Sequence, residues 1–278
     1  MDLDIKNEML KLADEKFTGN SKNIMKSQIE TFYKVKYEIV HKNKYNIGDK
    51  VLLKKGTLMH GTYKNIKGLK EIVKNGLVSS DFIEGRKSKY PLCVGVWNLK
   101  KDYLLKDYVD FYSGGTASIM NNDGSKRKTK VIPYSQMNDL IHEFTNDKNC
   151  FRWFLEQTKE ARFMPSLVQD DVQIGIIFNG NNKYINELLK GDILNSISDK
   201  DVKPFVNEKY YSRFIIDRKN KDDFFTDRES AVLYGIPSTL IEGILVGRKY
   251  ERDEKILKKI KALLPDCYVC NLDGIVIK

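Results

Sequence analysis

The sequence predicts an α+β fold in which short strands and helices are mixed rather than regularly alternating. Apolar runs typical of buried strands occur along the chain, for example at 92–97 and 172–179. Longer amphipathic stretches, typical of helices, separate these runs without forming a repeated strand–helix unit. The 278 residues are 41% hydrophobic and 31% charged, and this composition supports a folded core of ordinary size.

The N-terminal part of the chain is predicted to be helical. Residues 3 to about 43 have apolar side chains three and four residues apart. Gly19-Asn20-Ser21 is predicted to separate two helices, with Ser21 as the N-cap of the second. We therefore predict a helical segment or lid at 1–47 and a separate main domain at 48–278.

The main domain is predicted to begin with two short strands, at 50–53 and 57–60. An amphipathic helix follows at 66–75, for which Asn65 is a suitable N-cap. Gly76 fits the left-handed conformation that closes a helix.

The middle of the chain is predicted to contain a buried strand at 92–97 and a helix at 99–113. Residues 121–130 read NNDGSKRKTK, a composition that indicates an exposed loop. A further helix is predicted at 136–162.

The C-terminal third is predicted to be richer in strands. The predicted strands are 172–179, 210–217, 229–235 and 242–249. A polar loop with two aromatic residues is predicted at 219–227, and a short helical turn at Pro237-Ser238. An amphipathic helix at 253–264 and a hairpin at 267–278 complete the chain.

The formal net charge is +10, and most of the positive charge is spread along the chain. One denser basic run, Lys126 to Lys130, is interpreted as a solvated loop in preference to a nucleic-acid contact. The sequence has no apolar run of about 18 residues, and its acidic start is unlike a secretory signal. We therefore expect a protein of the cytoplasm, or one delivered into a host cytoplasm, without a membrane partner.

The four cysteines do not predict a metal site or a disulfide framework. Only Cys267 and Cys270 are spaced like metal ligands, and the sequence offers no second pair. The surrounding residues alternate like a strand, in which positions three apart face opposite sides. Both are therefore predicted to be structural, and no metal cofactor is expected.

Several common catalytic motifs are absent from the sequence. It contains no Walker A motif, no GxGxxG, no HExxH and no GxSxG. Three features remain: His60-Gly61-Thr62 at a predicted strand end, Trp97 at a strand-to-helix junction, and Glu229 opening a late strand.

In order and spacing, these features resemble the ADP-ribosyltransferases of the diphtheria-toxin and poly(ADP-ribose) polymerase branch. Its His-Gly-Thr strand end matches His60-Gly61-Thr62, and its Gly-x-Tyr strand matches Gly95-Val96-Trp97 with tryptophan in place of tyrosine. Tyr108 falls where the branch has a second tyrosine, and Glu229 matches its strand-opening glutamate. The resemblance covers residues 50 to 250 and implies a split β-sandwich of two small mixed or antiparallel sheets with flanking helices.

The resemblance implies that NAD is the substrate, that 48–278 is the catalytic domain, and that no metal takes part. Breaking the nicotinamide–ribose bond passes through an oxocarbenium-like transition state, as glycoside cleavage does. Glu229 and His60 would be catalytic, since Glu229 would stabilise the developing cation and His60 would orient a ribose. The residues implied to bind NAD are His60, Gly61, Thr62, Trp97 and Tyr108.

The acceptor of ADP-ribose is predicted to be a protein or a nucleic acid, as expected of a toxin, an effector or a phage-conflict protein. Phe224 and Phe225 are unusually apolar for a polar loop, and Asp227 lies two residues before Glu229. These three residues are therefore candidates for acceptor contact.

Each of these residues also has a structural interpretation. His60 and Trp97 could be core residues, Tyr108 could lie on the buried face of its helix, and Glu229 could be a charge at a strand edge. A catalytically inactive binding module of the same fold and a basic nucleic-acid-binding protein remain alternatives. A 2′-phosphotransferase of related fold would need a cationic phosphate cradle, which the sequence does not assemble.

Overall fold

The computed structural model confirms the predicted α+β class and contains a six-stranded mixed sheet. It describes residues 2–36, 44–62, 65–83, 92–99, 101–113, 115–120, 126–132, 152–156, 173–180, 185, 196–205 and 229–278.

Helices and strands are numbered in chain order. The helices are α1 (Asp2–Lys16), α2 (Gly19–Lys36), α3 (Asn65–Asn75), α4 (Ser80–Ile83), α5 (Leu105–Ser113), α6 (Asp199–Val202) and α7 (Glu254–Leu263). The first strands are β1 (Leu52–Leu53), β2 (Leu58–Gly61), β3 (Leu77–Val78), β4 (Cys93–Asn98), β5 (Tyr103–Leu104), β6 (Gly115–Met120) and β7 (Lys126–Ile132). The others are β8 (Arg152–Glu156), β9 (Ile174–Phe178), β10 (Glu229–Leu233), β11 (Gly235–Ile236), β12 (Ile241–Val246) and β13 (Tyr268–Cys270).

The largest sheet has the strand order β10-β4-β2-β9-β12-β13. Neighbouring strands are antiparallel except β12 and β13, which are parallel. Two pairs, β1-β5 and β11-β3, and a three-stranded sheet, β7-β6-β8, are separate from it. The described strands thus form four sheets, where the resemblance implied two.

Each face of the six-stranded sheet is covered by its own apolar core. Leu58, Ile176 and Ile244 pack with residues of α1, α2, α3 and α7 in what we call the helical core. Met59 and Ile177, one residue further along their strands, pack with Leu105, Tyr108 and Val109 of α5 in what we call the Tyr108 core. The alternation follows from the two-residue period of a strand, and it places the sheet between two apolar layers.

The N-terminal helices α1 and α2 are integrated into the helical core. Phe32 of α2 is fully buried, and its ring packs edge-on against Tyr234 with 5.0 Å between the centroids. The carbonyl oxygen of Val35 accepts a hydrogen bond from Thr239 Oγ1 at 3.0 Å. Through these contacts, residues that are predicted to form a separate segment or lid pack into the core of the domain at 48–278.

Two predicted helix caps are wrong. Helix α2 begins at Gly19, so that Ser21 lies in its first turn, where Oγ accepts from the backbone N–H of Ser198 at 2.8 Å. Asn65 has a φ of 49°, and its Oδ1 accepts from the backbone N–H of Gln173. In both cases a distant backbone donor takes the oxygen that a local cap would use. The left-handed conformation predicted for Gly76 is confirmed by its φ of 80°.

The strands predicted from apolar runs at 92–97, 172–179, 229–235 and 242–249 are confirmed as β4, β9, β10 and β12. The helical turn after Pro237 is confirmed as a 3-10 turn, and the helix predicted at 253–264 as α7.

Three other predictions of secondary structure are wrong in part. Lys126 to Ile132 form strand β7 instead of a loop, and Arg152 to Glu156 form β8 instead of part of a helix. Both strands are held by pairing with β6, which local composition does not reveal. Tyr103 and Leu104 pair with β1, so that α5 begins at Leu105. The predictions at 210–217 and 219–227 lie outside the described residues.

The cysteines near the C-terminus lie on opposite faces, as predicted. Cys267 packs in the helical core and Cys270 in the Tyr108 core, and both are free thiols. Burial raises the pKa of the Cys267 thiol to about 12 and raises that of Cys270 further. Within the described ranges, no helix is long and apolar enough to cross a membrane.

Candidate active site

The strands that carry His60, Trp97 and Glu229 are neighbours in the six-stranded sheet. Strand β4 lies between β2 and β10 and is antiparallel to both. Trp97 is paired with Met59 on one side and with Glu229 on the other. Directly opposed residues of an antiparallel pair share one face of the sheet. The register therefore places the positions of Trp97 and Glu229 side by side on the face of the Tyr108 core.

The sheet forks between β2 and β4 at this point. The β2-β4 ladder contains Leu58↔Asn98 and Met59↔Trp97 and then ends. Strand β2 continues alongside β9 to Gly61↔Gly175, and β4 continues alongside β10 to Cys93↔Leu233. Beyond Met59 and Trp97, the two halves of the sheet are no longer joined by strand pairing.

The ring of His60 lies at the fork. Its Nδ1 is 3.0 Å from the carbonyl oxygen of Gly95, and a carbonyl only accepts, so Nδ1 carries the proton and donates. In the neutral ring, Nε2 is then the acceptor. Burial lowers the pKa of His60 below its usual value of 6.5, and the bond to Gly95 opposes this only in part. A neutral ring with Nε2 as acceptor is suited to receive a hydrogen bond from a ligand hydroxyl.

By strand alternation, His60 does not share a face with Trp97. Its partner in β9 is Ile176, a residue of the helical core, whereas Met59 belongs to the Tyr108 core. The bond from the His60 ring to Gly95 spans the gap between β2 and β4. The predicted site is thus divided between one face of the sheet and the fork.

Beside the fork, the face of the sheet that carries Trp97 has glycines at successive positions and therefore has no side chains there. Gly61 is paired with Gly175, and Gly95 stands two residues before Trp97 on the far side of the fork. Gly61 and Gly95 are partly exposed. A ligand can therefore approach the backbone closely at these positions.

Thr62, the last residue of the predicted His-Gly-Thr feature, is buried, with 7% of its surface exposed. Its backbone N–H donates to the carbonyl oxygen of Ile174 at 3.1 Å. The contact extends the pairing of β2 with β9 beyond Gly61.

Trp97 and Tyr108, the predicted aromatic pair, lie in the same apolar core. Trp97 is partly buried and packs against this core. Tyr108 is 2% exposed, and its ring packs edge-on against Tyr103 with 5.4 Å between centroids. The structure therefore brings the two aromatic residues into one region but encloses the Tyr108 ring within the core.

Gln173 is a polar residue next to this region for which the sequence gives no signal. It is 3% exposed, and its Oε1 accepts from the backbone N–H of Lys249 at 3.0 Å. This bond fixes the orientation of the amide and leaves Nε2 as a buried donor without a partner. Gln173 immediately precedes β9 and lies two residues before Gly175 in the chain.

The remaining predicted residues are the acceptor candidates Phe224, Phe225 and Asp227, which lie outside the described residues. Among the side chains that are described, no group of three His, Cys, Asp or Glu residues is placed to hold a metal ion.

Comparison with known proteins gives no relative: no family model, no curated protein and no solved structure matches the chain.

Proposed function

We propose that the chain is an NAD-dependent ADP-ribosyltransferase that cleaves the nicotinamide–ribose bond and transfers ADP-ribose to a macromolecule. The observation that carries this proposal is the β10-β4-β2 order, which places Glu229 opposite Trp97 and His60 at the adjoining fork. The three residues are 37 and 132 positions apart in sequence, and strand pairing is what brings them to one region.

The proposed reaction assigns a task to each group. The C–N bond between ribose and nicotinamide breaks, and its electron pair leaves with the nicotinamide nitrogen. The ribose carbon becomes cationic and bonds to an acceptor nucleophile, which loses a proton. The Glu229 carboxylate stabilises this cation, and Nε2 of His60 accepts a hydrogen bond from a ribose hydroxyl. The Gly61 backbone binds the nicotinamide amide, and the nicotinamide ring stacks on Trp97.

A direct test measures nicotinamide release and transfer of labelled ADP-ribose from NAD in a cell lysate. Wild type is expected to release nicotinamide and label an acceptor. Glu229→Gln keeps the shape of the side chain but removes its charge, and the rate is expected to fall roughly 100- to 1,000-fold. Glu15→Gln, an exposed position in α1, is the matched control and is expected to retain the wild-type rate. An inactive wild type, or a Glu229→Gln variant as active as wild type, would contradict the proposal.

A catalytically inactive binding module of the same fold is the second candidate. The observation that favours it is the enclosure of Tyr108, because a ring packed in the core cannot stack on nicotinamide without rearrangement. Calorimetry distinguishes the two functions. Heat of NAD binding at micromolar to millimolar concentration supports the transferase, and no binding together with no nicotinamide release supports the module.

A further inference from the structure

Tyr108 is covered on one side by a short segment that lies outside the six-stranded sheet. This segment, residues 101–104, lies between β4 and α5, and we call it the strap. Its last two residues form β5, which pairs with β1 through Leu52↔Leu104 and Leu53↔Tyr103 in a separate two-stranded sheet. The ring of Tyr103 packs against that of Tyr108, with 5.4 Å between the centroids.

The pairing of β1 with β5 gives this two-stranded ribbon an inner and an outer face. Leu53 and Tyr103 are directly opposed and both pack with the Tyr108 core, so they lie on the inner face. Leu52 and Leu104 lie on the outer face, where 38% and 45% of their surfaces are exposed. Tyr103 itself is half-buried, so its ring lies between Tyr108 and the solvent.

The strap is joined to the molecule less firmly than other residues of the Tyr108 core. Met59, Ile177 and Leu245 belong to this core, and their strands β2, β9 and β12 each have a neighbouring strand on both sides. Strand β5, in contrast, has a ladder of two residue pairs with β1. Elements with few paired residues open locally at a lower free energy than the centre of a sheet.

Exposed contacts hold the strap in its closed position. Asp102 accepts hydrogen bonds from the backbone N–H of Lys55 at 2.7 Å and from Nζ of Lys54 at 3.0 Å. The Nζ of Lys101 lies 5.1 Å from the centroid of the Tyr103 ring. Exposed ion pairs contribute little to stability, because water solvates both charges when they separate. These contacts therefore define a closed position that the strap can leave at small cost.

We infer that the strap opens to admit the nicotinamide ring against Tyr108, and that Tyr103 controls this access. The inference rests on the proposed function, in which nicotinamide stacks on Trp97. Trp97 packs on the same apolar core as Tyr108, so withdrawal of Tyr103 uncovers a second aromatic surface in the region of the first. The affinity for NAD is then lowered by the fraction of molecules in which the strap is closed.

The strap can be locked by a disulfide across its ribbon. The carbonyl oxygen of Val51 accepts from the N–H of Leu105 at 3.0 Å, and the Tyr45 hydroxyl accepts from the N–H and donates to the carbonyl oxygen of Leu52. Leu52 and Leu104 therefore form a non-hydrogen-bonded pair, whose Cα atoms lie about 4.5 Å apart. This spacing suits a disulfide, and both side chains are partly exposed. Leu52→Cys/Leu104→Cys is therefore expected to cross-link without disturbing the core.

Calorimetry with NAD tests the effect of the lock. The oxidised Leu52→Cys/Leu104→Cys variant is expected to bind NAD roughly 2- to 12-fold more weakly than wild type, the effect of one aromatic stacking contact. Reduction of the disulfide should restore the wild-type affinity. Wild type and the two single-cysteine variants, treated with the same oxidant, are the controls and should keep their affinity.

Substitution of Tyr103 tests its control of access. Tyr103→Ala removes the ring that covers Tyr108 and should bind NAD more tightly, by a factor of the same order, roughly 2- to 12-fold. Tyr103→Phe keeps the ring and should bind as wild type does. Truncation of a residue that merely completes the core would weaken binding or leave it unchanged, so a gain in affinity distinguishes the two roles.

Amide hydrogen exchange tests the opening of the strap without NAD. Opening breaks the bond from the Leu105 N–H to Val51, so this amide is expected to exchange roughly 10- to 100-fold faster than the amides of β9. The disulfide of the Leu52→Cys/Leu104→Cys variant should abolish most of this difference. If the strap does not open, the Leu105 amide should exchange as slowly as β9 whether or not the disulfide is formed.

Three results would overturn the inference: slow exchange of Leu105 that the disulfide does not change, equal NAD affinities of the oxidised and reduced variant, or weaker NAD binding by Tyr103→Ala. Any of them, together with nicotinamide release by wild type, would reject the role of the strap and leave the proposed function standing. Absence of NAD binding and of nicotinamide release by wild type would reject the proposed function and with it nicotinamide as the ligand. Fast, disulfide-sensitive exchange of Leu105 would in that case still uphold the opening of the strap.

Discussion

At the fork of the sheet, the His60 ring serves both the fold and the proposed site. Its Nδ1–H is used by the carbonyl oxygen of Gly95, and this bond joins β2 to β4 beyond the last residue pair of their ladder. The same bond determines the tautomer and leaves Nε2 as an acceptor. The two functions can therefore be separated by substitution.

Replacing His60 by asparagine separates these functions. The introduced amide can still donate to the Gly95 carbonyl oxygen, but it is too short to place an acceptor where Nε2 lies. We expect His60→Asn to retain most of the thermal stability and to weaken NAD binding roughly 2- to 12-fold, the effect of one net hydrogen bond. His60→Leu should lower both the thermal stability and the affinity for NAD. Calorimetry with NAD and thermal unfolding check these expectations, and equal melting temperatures for the two variants would contradict the bond to Gly95.

Stability should depend on pH through the same ring. The pKa of His60 is lowered in the folded state by burial, while in the unfolded chain it stays near its usual 6.5. The unfolded state therefore binds the proton more tightly. The full stability is present above pH 6.5 and is lost as the pH falls through the lower folded pKa. Urea unfolding between pH 5 and 8 should show this decrease in wild type, and it should be smaller in His60→Asn. If the free energy of unfolding changed equally with pH in wild type and in His60→Asn, His60 would be excluded as the cause.

At the scale of elements, the end of helix α3 illustrates a turn that the sequence specifies completely. Gly76 has a φ of 80° and follows the last helical residue, Asn75. A Cβ at this position would lie close to the ring of Phe32 in α2 and to the carbonyl oxygen of Ile236. The glycine therefore satisfies both the backbone conformation and the packing of α2 against α3.

A pair of alanine substitutions separates these two requirements. Gly48 also has a positive φ, 94°, but no atom lies within 4 Å of the Cβ it would gain. Gly48→Ala should lower the free energy of unfolding by about 1 kcal/mol, from backbone strain alone. Gly76→Ala should lower it by about 2–4 kcal/mol, because overpacking against Phe32 adds to the backbone strain. Urea unfolding measures both, and equal losses would show that the contact with Phe32 is unimportant.

The elements that could be predicted are those whose sequence signal is local. Helix α3 combines a strong apolar face with Gly76, and β4, β9 and β12 are short apolar runs. The sequence instead predicts a loop at β7 and part of a helix at β8, because the strand form of both segments depends on pairing with β6. Such pairing joins residues far apart in sequence and leaves no local periodicity.

The candidate site shows the same division between local and distant effects. The resemblance identifies His60, Trp97 and Glu229 as site residues, but their proximity follows from the strand order. The ring of Tyr108 packs against Tyr103, for which the sequence predicts a helix but which pairs with β1. Gln173 is an isolated polar residue before a buried strand, and nothing local distinguishes it from a loop residue.

At the scale of the whole molecule, the N-terminal helices and the sheet share one apolar core. Phe17, Met25, Ile29 and Phe32 are at most 1% exposed and belong to the same core as Leu58 and Ile176. A lid that closes over a site normally exposes little apolar surface when it opens. Removing these helices would instead uncover one side of the helical core.

Deletion of residues 1–43 is therefore expected to give an aggregated or unfolded chain instead of a constitutively open one. Phe32→Ala tests the same core with a smaller change and should lose about 3–5 kcal/mol of the free energy of unfolding. Asp14→Asn/Lys26→Gln, which breaks an exposed ion pair on the outer side of these helices, should lose less than about 1 kcal/mol. Gel filtration and urea unfolding measure the outcome. A monomeric, cooperatively folded deletion variant would support the lid.

The fork also determines how the sheet resists mechanical separation. Two registered pairs join β2 to β4, against four between β2 and β9 and five between β4 and β10. A force that pulls the N-terminus of β10 away from β13 would therefore part the sheet at this seam, leaving a two-stranded ribbon and a four-stranded ribbon, each internally intact. The proposed reaction thus takes place where neighbouring strands of the sheet are joined by the fewest residue pairs.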